Sequence, residues 1–441
     1  MSGTLGATVP APVDRATDAK IFWRLIPIIL ASLIVNQLDK VNVAFAKLQM
    51  APDIGLSNTA YGLGAGIFFI GYCLFEVPSN MLLHRIGARA WITRILLTWG
   101  VLSACTMFAT GPRSFYVLRF FLGVAEAGFS PGIMLYVSQW FPARTRGRVI
   151  AIFMTALPIS GVIGSPLSAW LMTSTPGFIT LRGWQWMFLC EGLPAVLCGL
   201  AFWMLVPNTI DEATWLDGSE KAALKAEVGG VSGHHSGSFA RGLSDSRVWL
   251  LCFIYFAFVA ALYGVSFWLP TMVKALGFVG IRQIGLMTAL PYAAAVVTML
   301  VFAWNSDRTG ERRKHLALAG LFGAACLILS VLLRANPMWS FVALIAAMAG
   351  IVTTIPLFWN LPTAFLKGAT AATGFALITS IGNLSGFVAP YLVGVVTDAT
   401  GSTASGMYAL AGAAVVGVLL VFVVPGSLVE RSKAASTRSR Q

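Results

Sequence analysis

The chain has 441 residues, 57% of them hydrophobic and only 11% charged, with a formal net charge of +13. Soluble domains carry roughly 25% charged residues, so the composition excludes a soluble enzyme or binding module and points to an all-α polytopic membrane protein. The basic residues fall in short loops between apolar runs, not on one face of a soluble domain, which removes nucleic acid as a partner.

Residues 1–21 mix Pro10, Pro12, Asp14, Asp18 and Lys20 with no apolar stretch, and read as a disordered cytoplasmic tail instead of a cleaved signal. At about 20 residues per crossing, six spans fall near 22–47, 58–83, 90–110, 114–140, 146–173 and 184–206, an N-terminal six-helix bundle over 22–206. Residues 207–247 are the one long connection, a cytoplasmic central loop. Its stretch DEATWLDGSEKAALKAEV patterns as a short amphipathic helix capped by Asp217 or Ser219. GGVSGHHSGS then has linker composition, and His234 and His235 have no companion at metal-ligand spacing. Six more spans near 248–273, 281–304, 314–334, 338–364, 370–397 and 403–425 make a C-terminal six-helix bundle over 248–425, followed by a cytoplasmic tail at 426–441.

Lys and Arg set the orientation. With the N-terminus inside, 22 of the 30 basic residues lie on the cytoplasmic side and six at the outer ends, leaving Lys40 and Arg119 within spans. Both termini are therefore expected in the cytoplasm. The six cysteines, at 73, 105, 190, 198, 252 and 326, sit in apolar segments without ligand spacing and read as packing residues.

The two halves repeat. Gly62, Arg85, Gly87 and Arg89 in the first have counterparts Gly285, Arg308, Gly310 and Arg312 in the second, each 223 residues on. Parallel six-span repeats mark secondary transporters whose substrate binds near the midplane at the repeat interface. No nucleophile elbow, phosphate loop or metal cluster supports an enzyme, and no charged ring supports a channel.

A charged side chain at the centre of a membrane helix costs about 2.5–3.5 kcal/mol on insertion scales. Asp39, Lys40, Arg119 and Glu126 must accordingly be paired, wet, or both. Arg119 and Glu126, seven residues apart, share a helix face two turns apart. They are either cavity-facing groups that exchange partners as one protonates, or a fixed ion pair bracing the span. Lys40 is either the anion ligand of the first half, a partner of Asp39, or a side chain snorkelling to the outer interface, and Asn42 either a substrate donor or a helix contact. Trp359, between Pro356 and Pro362, either stacks on substrate or fills a helix interface where the prolines interrupt backbone pairing. Glu76 suits a gate near the cytoplasmic end. Gly62, Gly66, Gly382 and Gly386 suit close helix packing.

The loop SDRTGERR at 306–313 resembles the cytoplasmic loop motif of the major facilitator superfamily. LDKVNVAFAKLQM, GIFFIGYCLFEVPSNMLLHRIGAR, VLRFFLGVAEAGFSPGIMLYVSQWFPARTRGR, GWQWMFLCEGLPA and IGNLSGFVAPYLVGVVTDATGS resemble that superfamily's anion:cation symporter family, and the likeness extends from about 22 to 425. It implies two pseudo-symmetric six-helix halves working by alternating access on a small organic anion. Bacterial members carry tartrate, galactonate, 4-hydroxyphenylacetate, phthalate and nicotinate. The resemblance also implies substrate contacts at Tyr72, otherwise an interfacial or packing tyrosine, and at Asn383, otherwise an interhelical hydrogen-bonding residue, joining Lys40, Asn42 and Trp359. Arg85, Arg89, Asp307, Arg308 and Arg119 are read as gating or structural residues. Two departures stand out: Lys40 follows Asp39 where the family usually has Arg, replacing a bidentate guanidinium by a point charge, and His84 stands where an acid is common.

These readings predict a monomeric carrier of the bacterial inner membrane. It imports a tartrate-like hydroxy or dicarboxylate, or an aromatic carboxylate, with protons taken up at Asp39 and Glu126. Protons are the coupling ion and no other cofactor is expected. The alternatives are a proton-coupled exporter or exchanger of the same fold, and a receptor that senses the anion without moving it.

Overall fold

Apolar runs of this length can satisfy their backbone polar groups in lipid only as helices or closed barrels, and this chain uses helices. The structure, a computed structural model, describes residues 13–175, 180–229, 245–366 and 369–425, which contain helices and no strand. The first half holds α1 (Arg15–Ile54), α2 (Asn58–Ile86), α3 (Ala88–Cys105), α4 (Pro112–Glu126), α5 (Phe129–Trp140), α6 (Ala143–Met154), α7 (Ala156–Thr173) and α8 (Gly183–Leu205). After the loop helix α9 (Gly218–Gly229) come α10 (Ser246–Ala275), α11 (Ile281–Thr309), α12 (Arg312–Leu332), α13 (Pro337–Phe358), α14 (Asn360–Phe365), α15 (Ala369–Thr400) and α16 (Thr403–Val423).

Twelve helical stretches are long and apolar enough to cross a membrane, so this is a multi-pass membrane protein. Three spans are jointed. The fourth breaks at Gly128, whose φ of 85° lies in the left-handed region that favours glycine. The fifth steps from α6 to α7 at Thr155, and the tenth breaks at Trp359 between Pro356 and Pro362, as the proline spacing predicts.

The expected disordered tail is corrected in part. Residues 1–12 lie outside the described residues, but Arg15 begins a helix that runs unbroken into the first span, and Asp14 caps it by accepting from Thr17 N at 2.7 Å. Its charges are answered by the central loop: Lys20 Nζ pairs with Glu220 at 2.9 Å and the Val13 N–H donates to Glu227 at 2.9 Å. Arg144, in the first turn of α6, reaches Asp18 at 2.6 Å. The loop helix starts where expected, with Asp217 accepting from Glu220 N at 2.8 Å, and Trp215 stacks on Trp140. His234, His235 and the C-terminal tail lie outside the described residues.

The repeat is visible in the backbone. Gly87 ends α2 with φ of 95° and Gly310 ends α11 with φ of 72°. The halves meet along α2 against α15 and α7 against α11. Gly66 permits one such approach, since a Cβ there would stand 2.7 Å from the Phe387 carbonyl oxygen. Gly62, Gly382 and Gly386 are likewise pressed by Pro390, Tyr255 and Phe69, as helix-packing glycines.

Among the described residues, the bonds that join the halves lie at mid-span and at the end away from the termini. There Asp398 accepts from Thr59 N at 2.7 Å and from the Asn58 side chain at 3.0 Å. Arg282 donates to Thr173 at 2.8 Å, and Tyr61 donates to the Phe267 carbonyl at 2.8 Å.

Candidate functional site

Lys40 sits in the second half of α1, inside the bundle and 6% exposed. Its ammonium lies 2.8 Å from Glu126 Oε1, with side chains 7% and 1% exposed, and donates to Asn36 Oδ1 at 3.1 Å. The Tyr72 ring centroid is 5.3 Å away. Glu126 is the last residue of α4, immediately before the joint at Gly128, and its Oε2 has no hydrogen-bond partner among the described residues. The ion pair therefore crosses from the first span to the fourth. It is neither the Asp39–Lys40 nor the Arg119–Glu126 pairing that sequence spacing allows.

Arg119 is fully buried, yet no carboxylate comes within ion-pair distance of it among the described residues. Its guanidinium reaches the Ala65 carbonyl at 3.5 Å and stands 5.0 Å from the Phe68 ring centroid, while Nε and Nη1 have no partner. The fixed ion pair with Glu126 is absent. A buried cation with two orphan donors is costly unless an anion serves it in another state.

Asp39 faces away from Lys40 into the packing of α1 on α3. It accepts from Trp99 Nε1, from Ser103 Oγ and from Asn42 Nδ2, the last at 2.9 Å. Asn42 thus belongs to the Asp39 cluster and not to the Lys40 side. In the second half, Trp359 joins Tyr255, Phe358 and Phe375 in an aromatic cluster, its ring 5.1 Å from that of Tyr255. Asn383 is half-buried on α15, next to Gly382. Neither Trp359 nor Asn383 contacts the Lys40 pair in this conformation.

The loop motifs lie at the terminal end. Arg85, Asp307 and Arg308 are exposed, with Arg308 over Trp304. Arg89 is engaged, donating to the Trp203 carbonyl at 2.8 Å and standing 3.8 Å from Glu212. Glu76, read as a gate residue, is buried in the second half of α2 and has one carboxylate oxygen without a hydrogen-bond partner among the described residues.

Sequence reasoning missed three side chains. Tyr263 on α10 brings the second half to the Lys40 region, with its ring 4.7 Å from that of Phe69. With Gln37, Val41, Leu157, Ser160, Ser266 and Tyr292 it lines a small cavity between the halves. Lys47, expected at an outer membrane end, is buried: it donates to Asn58 Oδ1 at 2.9 Å and lies 3.4 Å from the Trp268 ring centroid. Glu191 on α8 is 2% exposed and accepts from Ser168 at 2.6 Å. Its signal was available, since it is a carboxylate alone in an apolar helix of 23 residues. Among the described residues no cluster of side chains suits a metal ion.

Together Lys40, Glu126, Asn36 and Tyr72 form a buried polar cluster built around one ion pair. The profile of the Major Facilitator Superfamily matches this chain over residues 29–390 and 282–439. The "Putative tartrate transporter" of Agrobacterium vitis is 44% identical over 424 residues, covering 95% of this chain and 93% of the relative. The "Quinolone resistance transporter" of Acinetobacter baumannii is 40% identical, covering 93% and 95%. A solved D-xylose-proton symporter superposes with a TM-score of 0.74 at 14% identity, covering 92% of this chain and 98% of the other.

Proposed function

The chain belongs to the Major Facilitator Superfamily, a family of transporters and not of enzymes, and we propose that it imports a small organic anion across the bacterial inner membrane by proton symport. The buried Lys40–Glu126 pair carries this reading. Taking one partner from a buried pair costs about 3–5 kcal/mol, because the other charge is left in a medium that solvates it poorly. A carboxylate substrate can replace Glu126 on Lys40 at little cost only if Glu126 takes up a proton at the same time. Proton and anion then enter together, and neither moves favourably alone. Arg119, with two unserved N–H donors, is placed to meet whichever carboxylate is released as the halves rock.

We infer the substrate class from the same geometry. A single lysine with polar neighbours fits one carboxylate, and the tyrosines 72 and 263 supply hydroxyls for a hydroxy acid or a second carboxylate. The relative in Agrobacterium vitis favours tartrate-like dicarboxylates, with aromatic carboxylates next. The relative named for quinolone resistance favours a second reading, the same site run outward as an exporter. A thermal-shift screen of dicarboxylates, sugar acids and aromatic carboxylates identifies the ligand, because a compound that binds only the folded carrier raises its apparent stability. Uptake of that compound into right-side-out vesicles under an inward proton gradient decides direction. Uptake supports import, whereas expulsion from preloaded vesicles under the same gradient supports the exporter.

A further inference from the structure

Besides Glu76, two more carboxyls, Asp39 and Glu191, are buried in the first half with no Lys or Arg within ion-pair distance among the described residues. Asp39 accepts from three donors, but Glu191 accepts from Ser168 through Oε1, and its Oε2 has no hydrogen-bond partner among the described residues. The Asn42 amide lies between them: its Nδ2 donates to Asp39 Oδ1 at 2.9 Å, and the same amide contacts Glu191. Its Oδ1 also lacks a partner. Two orphan acceptors in one buried cluster lack a donor, and a proton on Glu191 would supply it. Two ionised carboxylates here would each bear the desolvation penalty of an unpaired buried charge.

We propose that Asp39, Asn42 and Glu191 hold one proton between them, carried on Glu191 in this conformation, as a second proton site behind the Lys40–Glu126 pair. The amide matches either arrangement. With Glu191 protonated, its O–H would supply Asn42 Oδ1 while Nδ2 serves ionised Asp39; a half-turn of the amide would serve the reverse. The groups facing the cluster are few. Ser168 comes from α7, Trp99 and Ser103 come from α3 to Asp39, the Cys190 thiol adjoins Glu191 on α8, and Arg119 and Glu126 act on Asp39 from α4. A coupling role for this proton rests on the symport reading above, but its presence does not.

Infrared difference spectroscopy of the full-length carrier in lipid, with hydrogen–deuterium exchange, reads protonated carboxyls directly. A protonated-carboxyl band present in the parent at neutral pH should disappear in Glu191→Gln, whose amide mimics the neutral acid. The band should remain in Glu126→Gln, and should shift in Ser168→Ala and Asp39→Asn, which leave Glu191 in place. An identical band in the parent and Glu191→Gln overturns the proposal. In substrate exchange across liposomes, Glu191→Gln should move the pH midpoint by at least one unit. An unmoved midpoint with the band lost makes Glu191 a fixed structural acid and overturns the shared proton. Failure of the symport reading itself appears elsewhere, in Glu126→Gln, and leaves the infrared result standing.

Discussion

Replacing Glu126 by Gln removes the counter-charge of Lys40 and little else. The ammonium is left with Asn36 Oδ1 at 3.1 Å and the face of Tyr72. Loss of one partner from a pair this buried costs about 3–5 kcal/mol, part of which those contacts recover. An anionic substrate restores the missing charge, so the variant should bind it more tightly than the parent does and gain more thermal stability from it. The pH dependence is sharper. In the parent, one proton enters Glu126 for each anion that takes Lys40, so affinity falls about tenfold per pH unit wherever free Glu126 is ionised. In Glu126→Gln there is no proton to take up at that position, and the slope should vanish. Calorimetric titration with the ligand found in the screen, on both sides of neutrality, measures both slopes. A parent affinity that ignores pH, or a Gln variant that keeps the slope, refutes the reasoning.

Lys40→Gln should abolish anion binding while Lys40→Arg keeps part of it; equal near-native affinity for both, measured by the same titration, would remove Lys40 from the site. Gly66→Leu forces a side chain against the Phe387 backbone and should cost about 1–3 kcal/mol or more as overpacking, read as a lowered melting temperature and lost transport. Arg144→Ala, at a side chain 45% exposed, should cost less than about 1 kcal/mol yet make the 207–247 loop more sensitive to limited proteolysis. In that clasp the Asp217 backbone N–H and Lys20 hold the Glu220 carboxyl below its ordinary value of 4.5. Its contribution is therefore present at neutral pH and is lost only as pH falls below that value, so proteolysis of the loop should not change between mildly acidic and neutral buffer.

Much of this was legible in the sequence because lipid makes charge conspicuous. Asp39, Lys40, Arg119 and Glu126 stood out against apolar runs, the glycines at 87 and 310 marked the repeat, and the prolines around Trp359 marked the joint in the tenth span. What periodicity does not contain is the pairing between helices. Seven-residue spacing does put Arg119 and Glu126 on one face of α4, but two turns of helix separate them along the axis, and Lys40 of α1 takes Glu126. Asp39 and Lys40, adjacent in the chain, point to different neighbours because successive residues on a helix are 100° apart. The helix from Arg15 was hidden because the charges of that segment are answered by residues about 200 positions later. Tyr263 gave no signal at all, being one aromatic among many in an apolar span.

Transport by the parent and by Glu126→Gln, in liposomes given a pH gradient and no other driving force, tests the central claim most directly. The account predicts that the parent accumulates its anion above equilibrium, and that Glu126→Gln exchanges labelled for unlabelled anion but accumulates none. Asp39→Asn, at the second proton site, should weaken accumulation in the same assay. Accumulation by Glu126→Gln equal to that of the parent would contradict proton coupling through the Lys40–Glu126 pair.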